Sequence, residues 1–244
     1  MLASLRVGVE TDGNGGSEAY GLTMADQPTI YIICSNQDGS GKTLLARLLA
    51  DYLLLDGHDP FLFDADFPNG ALRAFFPGRT GLVDLDETGG QTGLFRRILA
   101  SPGRDYVIDL RAADTVSFFR AAADQQFKEE ARRAGFRLIA LFVLGSNAGA
   151  MPWAAAVESQ ARLDLMVLVQ NHLVHAGRIH VARRNLIELP LLDPELAGII
   201  AARRFSFRKF ILGEETRLPP HLKVNLNAFL LQAMTGLHNI RPVE

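Results

Sequence analysis

A glycine-rich stretch, SNQDGSGKTL at residues 35–44, contains the residue types that hold a phosphate group. It includes Gly-Lys-Thr, the end of a phosphate-binding loop of the form G-x-x-x-x-G-K-[ST]. Lys42 supplies a positive charge for phosphate oxygens, and the hydroxyl of Thr43 is a ligand for Mg²⁺. The first glycine of that form is missing, because the position five residues before Gly41 is Asn36. We therefore predict a phosphate-binding loop whose first half departs from the common pattern.

The backbone of this loop is expected to provide most of the contacts. Glycines at 39 and 41 let the main chain approach an anion without a Cβ in the way. Asparagine is an acceptable replacement for the first glycine, because it adopts a positive φ more readily than most residues. Successive N–H groups and the N-terminus of a following helix then point at one anion. The candidate contact residues are Asn36, Gln37, Asp38, Gly39, Ser40, Gly41, Lys42, Thr43 and Leu44.

Carboxylates follow the next two apolar runs of the chain. Asp64 ends the run at 60–64 and Asp66 follows two residues later, while Asp109 lies near the end of the run at 106–110. Ligands of open α/β sheets bind at the carboxyl ends of the strands, and a carboxylate there can hold Mg²⁺ through water. Each aspartate taken alone is also common in an ordinary turn after a strand. Together with Thr43, Asp64 and Asp109 are the candidate metal ligands.

The elements that position these residues alternate along the chain. Near-continuous apolar runs, typical of strands covered on both faces, are at 29–34, 60–64, 106–110, 136–144, 163–170 and 186–190. Helical patterns lie at 43–56, 92–100, 115–135, 151–161 and 194–203. Such alternation predicts a doubly wound, mostly parallel α/β sheet with helices on both faces.

Taken in order, these motifs resemble the ParA/MinD family of P-loop ATPases, whose deviant loop reads K-G-G-x-G-K-[ST]. The matching stretches are QDGSGKT at 37–43, DAD at 64–66 and DLRA at 109–112, and the match to the shared core covers residues 29–194. Weaker matches to the family are GLVDL at 81–85, MVLVQNHL at 166–173 and IELPLLDPEL at 187–196. The resemblance implies a P-loop fold that binds ATP and Mg²⁺.

The resemblance also implies roles for individual residues. Lys42 would hold the β- and γ-phosphates, and Asp66 would position the attacking water. Asn171, at the end of a late strand, would read the base. The implied biology is a cytoplasmic nucleotide switch that forms a nucleotide-dependent homodimer and slowly hydrolyses ATP to ADP. Plasmid or chromosome partitioning, conjugal transfer and protein positioning are the processes implied, with DNA or a protein as the further partner.

The chain departs from the family at positions that affect catalysis. The signature lysine, which reaches the partner's nucleotide across the dimer, is replaced by Gln37, and the next glycine by Asp38. Gln37 is neutral and cannot balance the charge of a transferring phosphoryl group. Arg111, two residues after Asp109, is our candidate for a partial substitute. A dethiobiotin-synthetase-like enzyme and a nucleotide-binding protein without turnover remain the alternatives.

The rest of the chain sets broader limits. With 244 residues, a net charge of −2 and one cysteine, composition indicates a globular protein without an intramolecular disulfide. Residues 1–27 are expected to be a disordered extension, with Met24 as a candidate start, and 28–244 a single domain. Basic stretches at 178–184 and 202–210 are candidates for DNA contact or an ordinary solvated face. A last helix after Pro219 is expected to pack on the domain. Its polar face has too few cations for a helix that lies on a membrane surface.

Overall fold

The structure is a computed structural model that describes residues 27–147, 149–174, 186–202, 204–215 and 217–240. The predicted N-terminal extension lies outside the described residues except for Gln27. The seven strands among the described residues form one sheet in the order β3-β2-β4-β1-β5-β6-β7, and every pairing is parallel. They are β1 Thr29–Cys34, β2 Phe61–Asp64, β3 Thr80–Leu82, β4 Tyr106–Asp109, β5 Arg137–Val143, β6 Leu165–Asn171 and β7 Leu186–Leu189.

Helices connect and cover the strands. They are α1 Lys42–Leu55, α2 Leu72–Phe75, α3 Gly90–Leu99, α4 Thr115–Asp124, α5 Phe127–Arg133, α6 Ala150–Ala161, α7 Pro194–Ala202, α8 Phe207–Ile211 and α9 Pro220–His238. No helix among these described segments is long and apolar enough to cross a membrane.

The sheet has a hydrophobic core on each face. Alternate residues of β1 point to opposite sides, so that Ile30 and Ile32 belong to one cluster and Tyr31 and Ile33 to the other. Helices α3–α6 cover the first cluster, and α1, α2 and α7–α9 cover the second. The predicted doubly wound α/β fold with helices on both faces is therefore confirmed.

Several local predictions needed correction. The strand β3 was missed because it has three half-buried residues and no apolar run. The helix predicted over 115–135 is two helices, separated at Gln126, which has a left-handed φ of 51°. The short helices α2 and α8 were also missed, α8 because its basic and aromatic composition resembled a surface patch.

The last helix packs on the sheet as expected, and Gly236 lies within its last turn. Helix α9 continues to His238, and the buried side chains of its apolar face belong to the core. A Cβ at Gly236 would lie 2.8 Å from the Cγ2 of Ile187 on β7. Gly236 is therefore a close-contact residue between α9 and β7.

The substitution Gly236→Ala is expected to destabilise the protein by about 1–3 kcal/mol, because the added methyl group overpacks the contact with Ile187. Gly198 in α7 is the matched control, since a Cβ there has nothing within 4 Å. Gly198→Ala should be neutral or stabilising by up to about 1 kcal/mol through helix propensity. Chemical denaturation of the three proteins measures both effects, and equal stabilities would contradict the proposed contact.

Candidate nucleotide-binding site

The glycine-rich loop lies where the direction of strand addition reverses. Strand β1 is flanked by β4 and β5, and the chain adds β2 and β3 on one side and β6 and β7 on the other. The loop follows β1 at Cys34, and α1 begins at Lys42. In open α/β sheets this position, at the carboxyl ends of the strands, is where ligands bind.

Two glycines give the loop its shape. Gly39 and Gly41 have φ values of 70° and 100°, in the left-handed region that side chains disfavour. A Cβ at Gly41 would also lie 2.2 Å from the Nδ2 of Asn171. The expectation that Asn36 uses a positive φ was wrong, because the only non-glycine residues of the described segments with positive φ are Gln126 and Arg162.

The first half of the loop is held by the segment that follows β5. The Nδ2 of Asn36 donates to the Oδ1 of Asn147 at 2.8 Å. The Oε1 of Gln37 accepts from the backbone N–H of Ser146 at 3.0 Å and from its hydroxyl at 3.3 Å. The side chain that replaces the family's lysine is therefore engaged within its own chain. Sequence analysis missed Ser146 and Asn147, although polar residues directly after a buried strand could have indicated them.

The back of the loop is supported by Asn171 at the end of β6. Its Nδ2 donates to the carbonyl oxygen of Ser40 at 2.9 Å, and its Oδ1 accepts from the N–H of Leu173 at 3.1 Å. Asn171 is 1% exposed. In this arrangement the amide holds the loop in place, and the base contact stays a prediction.

The cation of the loop is directed inward. Lys42 is buried, and its Nζ donates to the carbonyl oxygen of Gln37 at 3.2 Å and to the Oδ1 of Asp38 at 3.4 Å. The same Oδ1 accepts from the N–H of Ala112, beyond the end of β4, at 3.2 Å. Asp38 thus links the glycine-rich loop to the β4 loop.

The candidate metal ligands lie on neighbouring elements. The hydroxyl of Thr43 donates to the Oδ2 of Asp109 at 2.7 Å, and Asp64 is paired in register with Asp109 on the adjacent strand. The two oxygens of Asp64 accept from the N–H groups of Asp66 and Leu72, which shape the loop after β2.

Burial makes Asp109 an unusual carboxylate. It raises the pKa of Asp109 to about 7, although the hydrogen bond from Thr43 opposes the shift. Its Oδ1 is buried without a hydrogen-bond partner. The orphaned oxygen beside a hydroxyl and a second carboxylate fits Mg²⁺, which prefers oxygen ligands and takes only one or two carboxylates alongside phosphates and water. No group of three acidic, histidine or cysteine ligands occurs among the described residues, and this mode of binding does not require one.

The guanidinium of Arg111 is bound to two carboxylates. It donates to both oxygens of Asp114, at 2.7 and 2.8 Å, and to the Oδ2 of Asp86 at 2.6 Å. These contacts raise the pKa of Arg111 above its usual value. Arg111 lies at the cavity that Lys42 and Thr43 also line, and its charge is compensated by these two carboxylates.

A cavity of about 440 Å³ joins these groups. Its lining includes the second half of the loop, the β2 and β4 carboxylates and the start of α1: Asp38, Gly39, Gly41, Lys42, Thr43, Leu44, Asp64, Asp66, Asp109, Leu110 and Arg111. The remaining predicted residues, Asn36, Gln37, Ser40 and Asn171, support the loop from outside this lining.

Comparisons with known proteins found similar folds among solved structures. No protein-family model matches the chain, and no curated protein matches it. Among solved structures, a putative plasmid partition protein of Borrelia burgdorferi B31 bound to AMPPNP is similar, with 12% identity, a TM-score of 0.52 and coverage of 88% of this chain and 98% of that one.

Two further structures are more distant, each with 14% identity and a TM-score of 0.44. One is a nucleotide-binding protein of Archaeoglobus fulgidus in complex with ADP, covering 84% of this chain and 93% of that one. The other is a plasmid partition protein of Borrelia burgdorferi, covering 66% and 89%. At such identities the similarity to the first of the three structures shows the fold alone, and the fold of this chain is an all-parallel α/β sheet with helices on both faces.

Proposed function

We propose that this protein binds ATP and ADP together with Mg²⁺ and acts as a ParA/MinD-like nucleotide switch that hydrolyses ATP slowly. The convergence of Lys42, Thr43 and Asp109 at one glycine-rich loop carries the proposal. A neighbour of the same fold is described bound to AMPPNP, which supports a nucleoside triphosphate as the ligand. Partitioning of DNA or positioning of proteins is the biological role that we infer.

The charges around the cavity favour a nucleotide that arrives with a metal ion. Four carboxylates and two cations line it, so the lining carries a formal charge of 2 − 4 = −2. A polyphosphate adds further negative charge, and a divalent cation between phosphate and carboxylate reduces the repulsion. Thr43 and Asp109 would hold Mg²⁺ with Asp64 behind them, and the bound ion would neutralise charge that develops on the phosphates.

The other roles in phosphate binding and hydrolysis are assigned to individual residues of this chain. Lys42 would bind the β- and γ-phosphates, while the glycine-rich loop would donate its N–H groups. Asp66 is exposed at the rim of the cavity and would orient the attacking water. Arg111 would supply part of the charge that Gln37 lacks, after release from Asp86 and Asp114. Hydrolysis is expected to be slow because both carboxylates compete for that guanidinium.

A second copy of the chain is the proposed partner of the face around the loop. Large apolar side chains are exposed on segments that follow β2, β5, β6 and β7: Phe67, Trp153, Leu173 and Leu191. In a parallel sheet these segments share one edge, the edge that carries the phosphate loop. Nucleotide binding there would bring bound phosphates and this apolar surface to the same interface. The implied dimer of the resembled family fits this arrangement.

We expect sedimentation analysis to detect a dimer of the protein when AMPPNP and Mg²⁺ are present. With ADP and Mg²⁺ the fraction of dimer should be lower. Trp153→Ser should weaken dimerisation by about tenfold or more, because buried tryptophans are among the strongest interface contributors. The affinity of Trp153→Ser for ADP, which promotes the dimer less, should be unchanged, because Trp153 lies outside the cavity lining.

Leu231→Ser is the matched control, since Leu231 is an exposed apolar residue on α9 and lies outside these segments. An equal loss of dimer in both variants would contradict the assigned face. A protein that stays monomeric with every nucleotide would contradict the switch.

Contact with DNA stays a prediction for the basic segment at 202–210. Phe205, Phe207 and Phe210 are core residues there, and the Oδ2 of Asp51 on α1 accepts from the N–H of Phe207. This anchoring leaves Arg204 and Lys209 exposed. Arg203 and the whole stretch at 178–184 lie outside the described residues. We do not favour the dethiobiotin-synthetase-like alternative, because the residues that line the cavity all belong to the glycine-rich loop, the start of α1 or the carboxyl ends of β2 and β4.

A further inference from the structure

Asp38 occupies the position in the loop where the resembled family has glycine, and its carboxylate contacts two groups at once. One oxygen accepts from the Nζ of Lys42 at 3.4 Å and from the N–H of Ala112 at 3.2 Å. The two donors come from different elements, the start of α1 and the loop after β4. A single anionic oxygen therefore bridges the glycine-rich loop and the β4 loop.

These two donors are also suited to the terminal phosphate of a nucleoside triphosphate. The lysine of such loops reaches the β- and γ-phosphates. The N–H of Ala112 lies three residues after Asp109, whose carboxylate pairs with the Mg²⁺ candidate Thr43. A γ-phosphate that extends past Lys42 toward this metal site would meet the N–H of Ala112. The Asp38 carboxylate competes with it for both donors.

We propose that Asp38 is a specificity determinant that disfavours nucleoside triphosphates relative to diphosphates; this inference rests on the proposed function. The competition for Lys42 affects both kinds of nucleotide. The competition for Ala112 and the repulsion between Asp38 and the γ-phosphate affect only the triphosphate. The Asp38 side chain is 80% exposed, so that it can turn into solvent when a triphosphate binds.

The expected change in nucleotide affinity is moderate, because the Asp38 carboxylate is partly solvated. Removing one negative charge a few ångströms from a phosphate is expected to raise triphosphate affinity by about tenfold. Diphosphate affinity should rise by no more than about threefold, because the β-phosphate lies farther from Asp38. The ratio of the two affinities is therefore the informative quantity.

The experiment is calorimetry of AMPPNP and ADP, each with Mg²⁺, on the wild type and on Asp38→Asn. Asparagine keeps an oxygen that accepts from Ala112 and removes only the charge. Asp38→Ala, which also removes the acceptor, provides a second variant. Asp124→Asn is the control, since Asp124 is an exposed acid at the end of α4, outside the cavity lining.

The expected result is a selective gain for AMPPNP in both Asp38 variants and no change in the control. An unchanged AMPPNP-to-ADP ratio would overturn the inference while leaving nucleotide binding intact. An equal gain for both nucleotides would also overturn it, because Asp38 would then be a general inhibitor of binding. If neither nucleotide binds the wild type or the variants, the proposed function itself fails, and the inference fails with it.

Discussion

Replacing Lys42 with alanine is expected to lower the affinity for ATP and ADP by about a hundredfold or more, because hydrogen bonds to a charged group are the strongest that the loop offers. Lys42 is buried and directed into the loop, and its Nζ already bridges Gln37 and Asp38. Fluorescence polarisation with a labelled ADP measures the loss. Lys223→Ala on α9 removes a lysine outside the loop and should bind like the wild type.

A thermal melt accompanies this comparison, because Lys42 is also the first residue of α1. Lys42→Ala should still unfold cooperatively, since its main contacts are within the loop. Equal affinity of a folded Lys42→Ala and the wild type would rule out the phosphate-loop interpretation.

Replacing Arg111 with alanine is expected to lower ATP hydrolysis by about a thousandfold, if its guanidinium supplies the charge that Gln37 lacks. The affinity for ADP should persist, because Arg111 has no role in holding the β-phosphate in this proposal. Single-turnover hydrolysis, followed by phosphate release, measures the effect. Gln37→Lys, which restores the family's residue, should raise turnover in the otherwise slow enzyme.

Asp86→Asn separates a catalytic from a structural role of Arg111. It removes one carboxylate partner of the guanidinium and leaves the pair with Asp114 in place. We expect hydrolysis by this variant to be equal to or faster than that of the wild type. Wild-type rates in Arg111→Ala would contradict the catalytic assignment, and Arg111 would then be a surface residue that organises the β4 loop. Absence of hydrolysis in wild type and Gln37→Lys would favour nucleotide binding without turnover.

Most of the sheet was predictable from the sequence because its strands are buried on both faces. Six apolar runs gave six strands with boundaries within two residues of those observed, and the order of strand and helix indicated parallel pairing. The strand that was not predicted, Thr80–Leu82, is short and only half buried. It therefore lacks the continuous apolar run that indicated the other strands. Local hydrophobic pattern therefore predicted every strand of four or more residues, including the edge strand β7, and missed the three-residue edge strand β3.

The site was predictable only as far as its chemistry is encoded locally. The spacing of Lys42 and Thr43 after a buried strand indicated a candidate phosphate loop, and acids at strand ends indicated the carboxylates that line the same cavity. The contact between Gln37 and Ser146 joins residues 109 positions apart, and that between Ser40 and Asn171 joins residues 131 apart. No periodicity or motif records such contacts, because they depend on which loops the sheet order brings together.

This distinction changes the interpretation of the missing lysine. From sequence, Gln37 is only a lost positive charge. In the structure the amide oxygen of Gln37 accepts a hydrogen bond from the N–H of Ser146 in the β5 loop. Asn36 donates a hydrogen bond to Asn147 in the same loop. The Gln37 side chain therefore holds the glycine-rich loop to the β5 loop within one chain, whereas the resemblance implies a lysine that reaches a partner. The side chains at both departures, 37 and 38, form hydrogen bonds with neighbouring loops.

Hydrogen-exchange mass spectrometry of the wild type with and without saturating ADP and Mg²⁺ tests the central claim most directly. If the glycine-rich loop binds phosphate, backbone amides at 37–44 should exchange more slowly with nucleotide, because their N–H groups become donors to the ligand. Protection should extend to the loop after β4, around Arg111 and Ala112. Unchanged exchange at 37–44 under saturating nucleotide, or protection confined to other parts of the protein, would contradict nucleotide binding at this site.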